Sequence, residues 1–132
     1  MGCMAWTSSR AAPLTGVMTR SVVLVGFPGV QALDLIGPHD VFTCAALLTD
    51  GGYRVSVVSR DGEPIPTSGA LAFVTESMPD PTDIDTLLIP GGAGVGAARR
   101  DPATMAWIER AMAASRRVAS VCTGAFIVAP AG

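Results

Sequence analysis

Residues 117–125 read Arg-Val-Ala-Ser-Val-Cys-Thr-Gly-Ala, and this stretch decides how the chain is expected to fold. The β-branched run from Val118 to Val121 predicts a short strand, and the small residues after Cys122 predict the start of a helix. Such a tight turn thrusts a nucleophile out at the end of a sheet, where free N–H groups of the helix favour thiolate over thiol. The stretch predicts a reactive cysteine, and a buried structural cysteine is the alternative.

The composition limits the function classes. The chain has 132 residues, 49% hydrophobic and 5% aromatic, so we expect at most one domain with an aliphatic core. Nine basic and eleven acidic residues give a net charge of −2 without a basic face, which argues against direct nucleic-acid binding by this segment. No apolar run approaches the ~20 residues of a membrane span and no signal peptide stands out, so we expect a cytoplasmic protein without membrane contact.

The cysteines and the single histidine argue against a disulfide framework and a metal site. Cys3, Cys44 and Cys122 are too few and too irregularly spaced for disulfides, and His39 is the only histidine. We therefore expect no metal and no cofactor. Cys44 falls in an apolar helical segment, where packing should shield it, and Cys3 is incidental. The glycines at 92–96 fit neither a dinucleotide fingerprint nor a phosphate loop.

Strand and helix signals alternate along the chain. Apolar runs predict strands at 22–25, 53–58, 85–89 and 118–121. Helices are expected over 39–48 after Gly37-Pro38, after Asp101-Pro102, and from Thr123 onward. Residues 63–75 predict a small hairpin or a protruding excursion. This alternation predicts an α/β fold with a doubly wound parallel sheet and right-handed crossovers.

The two ends of the chain suggest an incomplete domain. Residues 1–17 lack periodicity and are expected to be a disordered extension, with Met18 as an alternative start, which leaves 18–132 as a partial domain. The chain stops barely two turns past Cys122. A sheet whose best-formed turn lies at its last element should have further strands, so we expect it to be incomplete at the carboxyl terminus. A minimal four-strand domain is the alternative.

Three loops leave the carboxyl ends of the predicted strands, where parallel sheets bind ligands. They bring Asp34, the Gly91-Gly92 pair and Cys122-Thr123 towards one pocket. Cys122 supplies a nucleophile, and the N–H groups of Gly91, Gly92 and Thr123 are candidates to hold an oxyanion. Asp34 lies among apolar neighbours that favour its neutral form, so it is a candidate hydrogen-bond donor or proton shuttle.

Each assignment has a structural alternative. Asp34 caps a helix in the alternative interpretation, and the glycine pair makes only a tight turn. His39 is expected at a helix start, either on the surface or at the pocket rim.

Three motifs in order carry a family resemblance. Residues 23–42 resemble the opening of ThiJ/PfpI-superfamily domains, residues 88–92 resemble their glycine loop, and residues 119–126 resemble their nucleophile elbow. The resemblance covers residues 20–132. It implies a flavodoxin-like, class I glutamine-amidotransferase-like three-layer sandwich, with Cys122 as the elbow cysteine and Asp34 as its acidic partner. Gly91, Gly92, Thr123 and Gly124 are the expected ligand-binding residues.

Two branches of the superfamily fit this chain. One is the amidase-like N-terminal domain of AraC-type regulators, which senses a small molecule and contacts DNA only through a further carboxyl-terminal domain. The other is the isonitrile hydratase group, in which the equivalents of Asp34, Cys122 and Thr123 add water to an isonitrile. The run at 116–126 favours the regulators. Family domains usually bring a histidine near the cysteine, whereas no histidine follows residue 39. An inactive truncated remnant is a third interpretation, and the resemblance also implies a homodimer.

Overall fold

A five-stranded parallel sheet forms the centre of the molecule. The structure is a computed structural model and describes residues 18–131, so the expectation for residues 1–17 lies outside the described residues. The strands are Arg20–Val25 (β1), Tyr53–Ser59 (β2), Ile65–Pro66 (β3), Ala72–Phe73 (β4), Glu76–Ser77 (β5), Thr86–Ile89 (β6) and Arg117–Ser120 (β7). The helices are Ala32–Leu48 (α1), Val95–Ala98 (α2), Pro102–Ala114 (α3) and Ala125–Ala131 (α4), with 3-10 turns at Pro81–Asp83 and Cys122–Gly124.

The strand order in the sheet is β5-β2-β1-β6-β7. All four pairings are parallel, with Val22 opposite Val55 on β2 and opposite Thr86 on β6. The chain steps from β1 outward to β2 and later from β6 outward to β7 in the other direction. Right-handed crossovers therefore place α1 and α3 on opposite faces of the sheet. The α/β class with a doubly wound parallel sheet is confirmed.

The core follows from the composition of the central strands. Val22, Val23, Leu24 and Val25 of β1 are 0% exposed, because helices cover both faces of a parallel sheet. Fully burying one such side chain contributes about 1.5–3 kcal/mol. The indole Nε1 of Trp107 in α3 donates to the carbonyl of Pro79 at 2.9 Å, which anchors this helix to the segment that leads into β6. No helix within residues 18–131 combines the length and apolar character needed to cross a membrane.

Sequence reasoning located the main strands but misplaced the start of α1. The predicted strands are confirmed as β1, β2, β6 and β7, each within two residues, and the hairpin as the antiparallel pair of β3 and β4. The expected helix over 39–48 instead begins at Ala32 and contains Pro38. Leu35, 1% exposed in the core, secures the helical turn before the proline. Packing therefore outweighs the hydrogen bond that Pro38 cannot donate.

The shielding predicted for Cys44 is wrong, because its side chain is exposed on α1. Helix α1 is apolar around most of its circumference, so it cannot bury every apolar side chain against one sheet. Phe42 faces inward, with its ring centroid 5.6 Å from that of Tyr53. Leu33, Val41 and Leu48 are 71%, 66% and 87% exposed.

An ion pair joins the residue before β6 to the residue before β7. The guanidinium of Arg116 donates to both carboxylate oxygens of Asp85, with Nε to Oδ2 at 2.7 Å and one terminal nitrogen to Oδ1 at 2.8 Å. The hydrogen bond from Arg116 lowers the pKa of Asp85 below its usual 3.8, and a second bond from Thr86 acts in the same direction. The carboxylate is therefore held ionised in the folded state.

This ion pair predicts a pH-dependent contribution to stability. Because the folded pKa of Asp85 is lowered, its stabilisation is complete above the unfolded value of 3.8 and is lost as the pH falls through the folded value. Asp85→Asn should cost about 1 kcal/mol in free energy of unfolding at pH 7, measured by urea denaturation, since the pair is partly exposed. The difference from the parent should shrink below pH 4.

Asp83→Asn is the matched control, because Asp83 is an exposed carboxyl two residues away. Equal destabilisation by both variants would show that the Arg116 contact contributes nothing.

Candidate active site at the strand-to-helix turn

Cys122 occupies the strained turn expected of a nucleophile. It lies two residues after the end of β7 and begins a 3-10 turn that continues into α4. Its φ of 53° lies in the left-handed region, which is unusual for a residue with a β-carbon. Such backbone strain persists only where the surrounding structure enforces it, and it concentrates at functional sites. The side chain is exposed.

Close packing behind the turn enforces this conformation. Val121 donates its N–H to the carbonyl of Ile89 at 2.9 Å, which ties the turn to the end of β6. Gly124 is buried against the carbonyls of Ile89 and Pro90, and a β-carbon at Gly124 would overlap both oxygens. Gly124 therefore serves the close approach of the two strand ends.

Asp34 and Thr123 meet at the glycine loop. Asp34 lies in the first turn of α1 and is half-buried. Its Oδ2 accepts from the N–H of Gly91 at 3.1 Å, and the Oγ1 of Thr123 accepts from the N–H of Gly92 at 3.1 Å. A β-carbon on Gly91 would stand 3.0 Å from Asp34 Oδ2 and 2.6 Å from Thr123 Oγ1. The structure thus brings the residues from three loops together.

These hydrogen bonds change the expected role of the glycine pair. The N–H groups of Gly91 and Gly92 donate to side chains, so in this structure they are not free to hold an oxyanion. Cys122 and Thr123 are the first two residues of the 3-10 turn, whose N–H groups have no partner inside it. Between residues 18 and 131, neither forms a backbone hydrogen bond elsewhere. These two N–H groups are the better oxyanion candidates.

The loop after β1 holds the glycine loop in place. Gln31 donates its N–H to the carbonyl of Gly91 at 2.9 Å, and Gly94 donates its N–H to the carbonyl of Gly29 at 3.0 Å. Gly92 has a φ of 133°, and a β-carbon there would collide with the backbone of this loop. Sequence reasoning did not anticipate these loop-to-loop bonds, although the density of glycines at 91–96 was a signal of close backbone approach.

His39 lies apart from these contacts. It lines a cavity of about 150 Å³ formed by α1, β2 and the β4 region, together with apolar side chains such as Leu35 and Phe73. Its Nδ1 is 3.4 Å from an oxygen of Asp40. Across residues 18–131, no three His, Cys, Asp or Glu side chains are grouped closely enough to hold a metal ion.

Comparison with known families agrees with this geometry. The profile of the DJ-1/PfpI family matches residues 20–132. The chain belongs to the DJ-1/PfpI family. A ThiJ/PfpI family protein from Pseudomonas syringae has a similar structure, with a TM-score of 0.78 and 26% identity over 94% of this chain and 54% of that one. The flavodoxin-like layered fold is thus confirmed.

Relatives of the chain have different roles. Isonitrile hydratase from Pseudomonas putida is 40% identical over 116 residues, which cover 87% of this chain and 49% of the hydratase. An HTH-type transcriptional regulator from Mycobacterium tuberculosis is 53% identical over 49 residues, or 37% of this chain and 19% of the regulator. The chain therefore spans about half the length of the hydratase.

The backbone is left-handed at Cys122 and helical at Cys44, so replacing alanine by glycine should have opposite effects on stability at these two positions. Cys122→Gly should be about 1 kcal/mol more stable than Cys122→Ala, because only glycine adopts this φ without steric cost. Cys44 lies inside α1, where Cys44→Gly should be about 1 kcal/mol less stable than Cys44→Ala. Urea denaturation of the four variants measures both differences. The same sign at both positions would contradict the strained turn.

Proposed function

We propose that this chain forms a cysteine-centred small-molecule site that serves as the ligand-sensing domain of an AraC-type transcriptional regulator. The convergence of Asp34 and Thr123, the residue after Cys122, on one glycine loop supports a binding site. The 53% identity to a segment of an HTH-type regulator favours the regulatory role. DNA contact would then belong to a separate helix-turn-helix region, and the bound ligand would change that region's activity.

In the proposed site, Cys122, Thr123 and Asp34 each make a different contact. The exposed thiol of Cys122 contacts the ligand, and the N–H groups of Cys122 and Thr123 bind an electronegative ligand atom. Asp34 positions the glycine loop through Gly91 and leaves its second carboxylate oxygen for the ligand. Asp34→Asn keeps an acceptor for the Gly91 N–H, whereas Asp34→Ala removes it. Homodimerisation stays a prediction, supported by the exposed apolar side chains of α1.

Isonitrile hydration is the second candidate, favoured by 40% identity to the hydratase across most of this chain. The reaction adds water across the isonitrile carbon. A carbon–oxygen bond forms, the two protons of water end on carbon and nitrogen, and the product is an N-substituted formamide. The thiol of Cys122 can add to the isonitrile carbon to give a thioimidate. Water then adds to that carbon, and cleavage of the carbon–sulfur bond returns the thiol and releases the formamide, while the carboxyl of Asp34 can carry the protons.

Reactivity distinguishes a site cysteine from an ordinary exposed one. Cys122 and Cys44 are both exposed, so accessibility alone predicts similar labelling rates. Backbone N–H groups at the turn favour an anionic sulfur, whereas Cys44 lies in the carboxyl-terminal half of α1, where the helix dipole opposes one. Iodoacetamide near neutral pH should therefore modify Cys122 several-fold faster, as read by peptide mass spectrometry. Faster modification of Cys44 would contradict the proposed reactive site.

Ligand binding and turnover separate the two candidate functions. For a sensor, at least one compound of a metabolite panel should raise the melting temperature of the parent and of Cys44→Ser but not of Cys122→Ser. Cyclohexyl isonitrile should then yield no more formamide than it does with Cys122→Ser, as measured by mass spectrometry. Formamide produced by the parent and by Cys44→Ser, but not by Cys122→Ser, would instead establish hydration. If no compound stabilises the parent and no formamide forms, the cysteine-centred site is refuted.

A further inference from the structure

A second cavity, of about 350 Å³, opens at the carboxyl ends of β1 and β2. Its walls come from the loops after these two strands, from α2 and from the start of α3. None of Asp34, Cys122 and Thr123 lines it. In the strand order, β7, the strand that leads to Cys122, lies two places from β1, which is about 10 Å across the sheet at about 4.8 Å between neighbouring strands. The cavity is thus separate from the candidate active site.

The cavity has the size and floor of a small-molecule site. Phe27 and Ile65 form its apolar floor and are only 5% and 4% exposed. Ala97 and Ala98 of α2 add small apolar side chains to the wall. Ligand sites in proteins are clefts of about 300–1,000 Å³ with mostly apolar walls and a few polar groups, often at the carboxyl ends of parallel strands. This cavity has such a volume and an apolar floor, and its rim is polar.

The charges at the rim identify the ligand class. Arg60, Asp61, Glu63 and Asp101 line the opening. A terminal nitrogen of Arg60 is 2.8 Å from Asp101, and its Nε is 3.8 Å from Asp61. The rim thus carries three carboxyl groups and one guanidinium, which contacts two of them. The neighbouring Arg99 and Arg100 are exposed and do not line the cavity.

Hydrogen bonds hold the carboxyl group of Asp101 and the backbone of Glu63. The hydroxyl of Thr104 donates to Asp101 and is the largest cause of a lowered pKa at this carboxyl, which Arg60 lowers further. Asp101 is therefore ionised at neutral pH. The backbone carbonyl of Glu63 accepts from the hydroxyls of Ser59 at 3.2 Å and Thr75 at 2.7 Å, which fixes the loop that carries this residue. Across residues 18–131, the Glu63 carboxylate has no ion-pair partner.

We propose that this cavity is a second binding site, which takes a small organic cation whose ammonium group contacts Asp61 and Glu63 and whose short aliphatic body covers Phe27 and Ile65. The net negative charge of the rim favours a positively charged ligand, and the apolar floor favours a ligand with a hydrocarbon part of a few carbons. Arg60 pairs with Asp101 and also lies near Asp61, so its guanidinium competes with the ligand's ammonium group for the Asp61 carboxylate.

Backbone-amide NMR of the full chain with n-butylammonium as the probe tests this site. At constant ionic strength, n-butylammonium should shift the amides of Gly26, Ser59, Gly62 and Ala98 in a saturable way, whereas sodium butyrate should not. Cys122→Ser should give the same shifts, so failure at the cysteine site and failure here are distinguishable. Equal shifts with butyrate, or no shift at these amides, would refute the proposal.

Charge variants give a test with opposite signs. The double variant Asp61→Asn/Glu63→Gln should raise the Kd of n-butylammonium at least about fivefold, because it removes two nearby carboxylates. Arg60→Gln should lower that Kd, because it removes the competing guanidinium. Asp83→Asn, an exposed carboxyl outside the cavity, should leave it unchanged. Weaker binding by Arg60→Gln, or equal weakening by Asp83→Asn, would overturn the assignment.

Discussion

The close approach of three loops at the carboxyl ends of β1, β6 and β7 is the constraint on which the site depends. Two backbone hydrogen bonds join the loop after β1 to the glycine loop, from Gln31 to Gly91 and from Gly94 to Gly29. The buried contact of Gly124 with Ile89 brings the third loop against the second. Side chains at Gly92, Gly94 and Gly124 would separate the loops, because backbone oxygens stand where a β-carbon would lie. The glycines therefore build the site without contributing chemistry themselves.

The strain at Cys122 follows from this packing. A left-handed residue with a β-carbon costs roughly 1–2 kcal/mol, and the cost is offset by the contacts that hold the turn. The same turn directs the thiol outward and leaves two N–H groups beside it without helical partners. Stability and reactivity thus oppose each other at one residue, which is common where a fold presents a nucleophile.

The amino-acid sequence predicts the sheet well because strand signals here are local. Short apolar runs located β1, β2, β6 and β7. Pro38 misled the helix prediction because burial of Leu35, a tertiary effect, stabilises the turn before it. The exposure of Cys44 was missed because an apolar helix does not reveal which side meets the sheet. The convergence of Asp34 and Thr123 was predictable from topology, whereas their hydrogen bonds to the glycine loop depend on distances that topology leaves open.

The loop after β1 connects the two proposed sites. Gly26, Phe27 and Pro28 line the larger cavity, and the next residues of the same loop bond to the glycine loop that Asp34 and Thr123 hold. The β3–β4 excursion fastens this loop from the other side, since the hydroxyl of Ser68 donates to the carbonyl of Gly29 at 2.8 Å. The two halves of this loop are therefore held by one continuous set of contacts. Any coupling between the sites is reciprocal, because each ligand shifts the affinity for the other by the same factor.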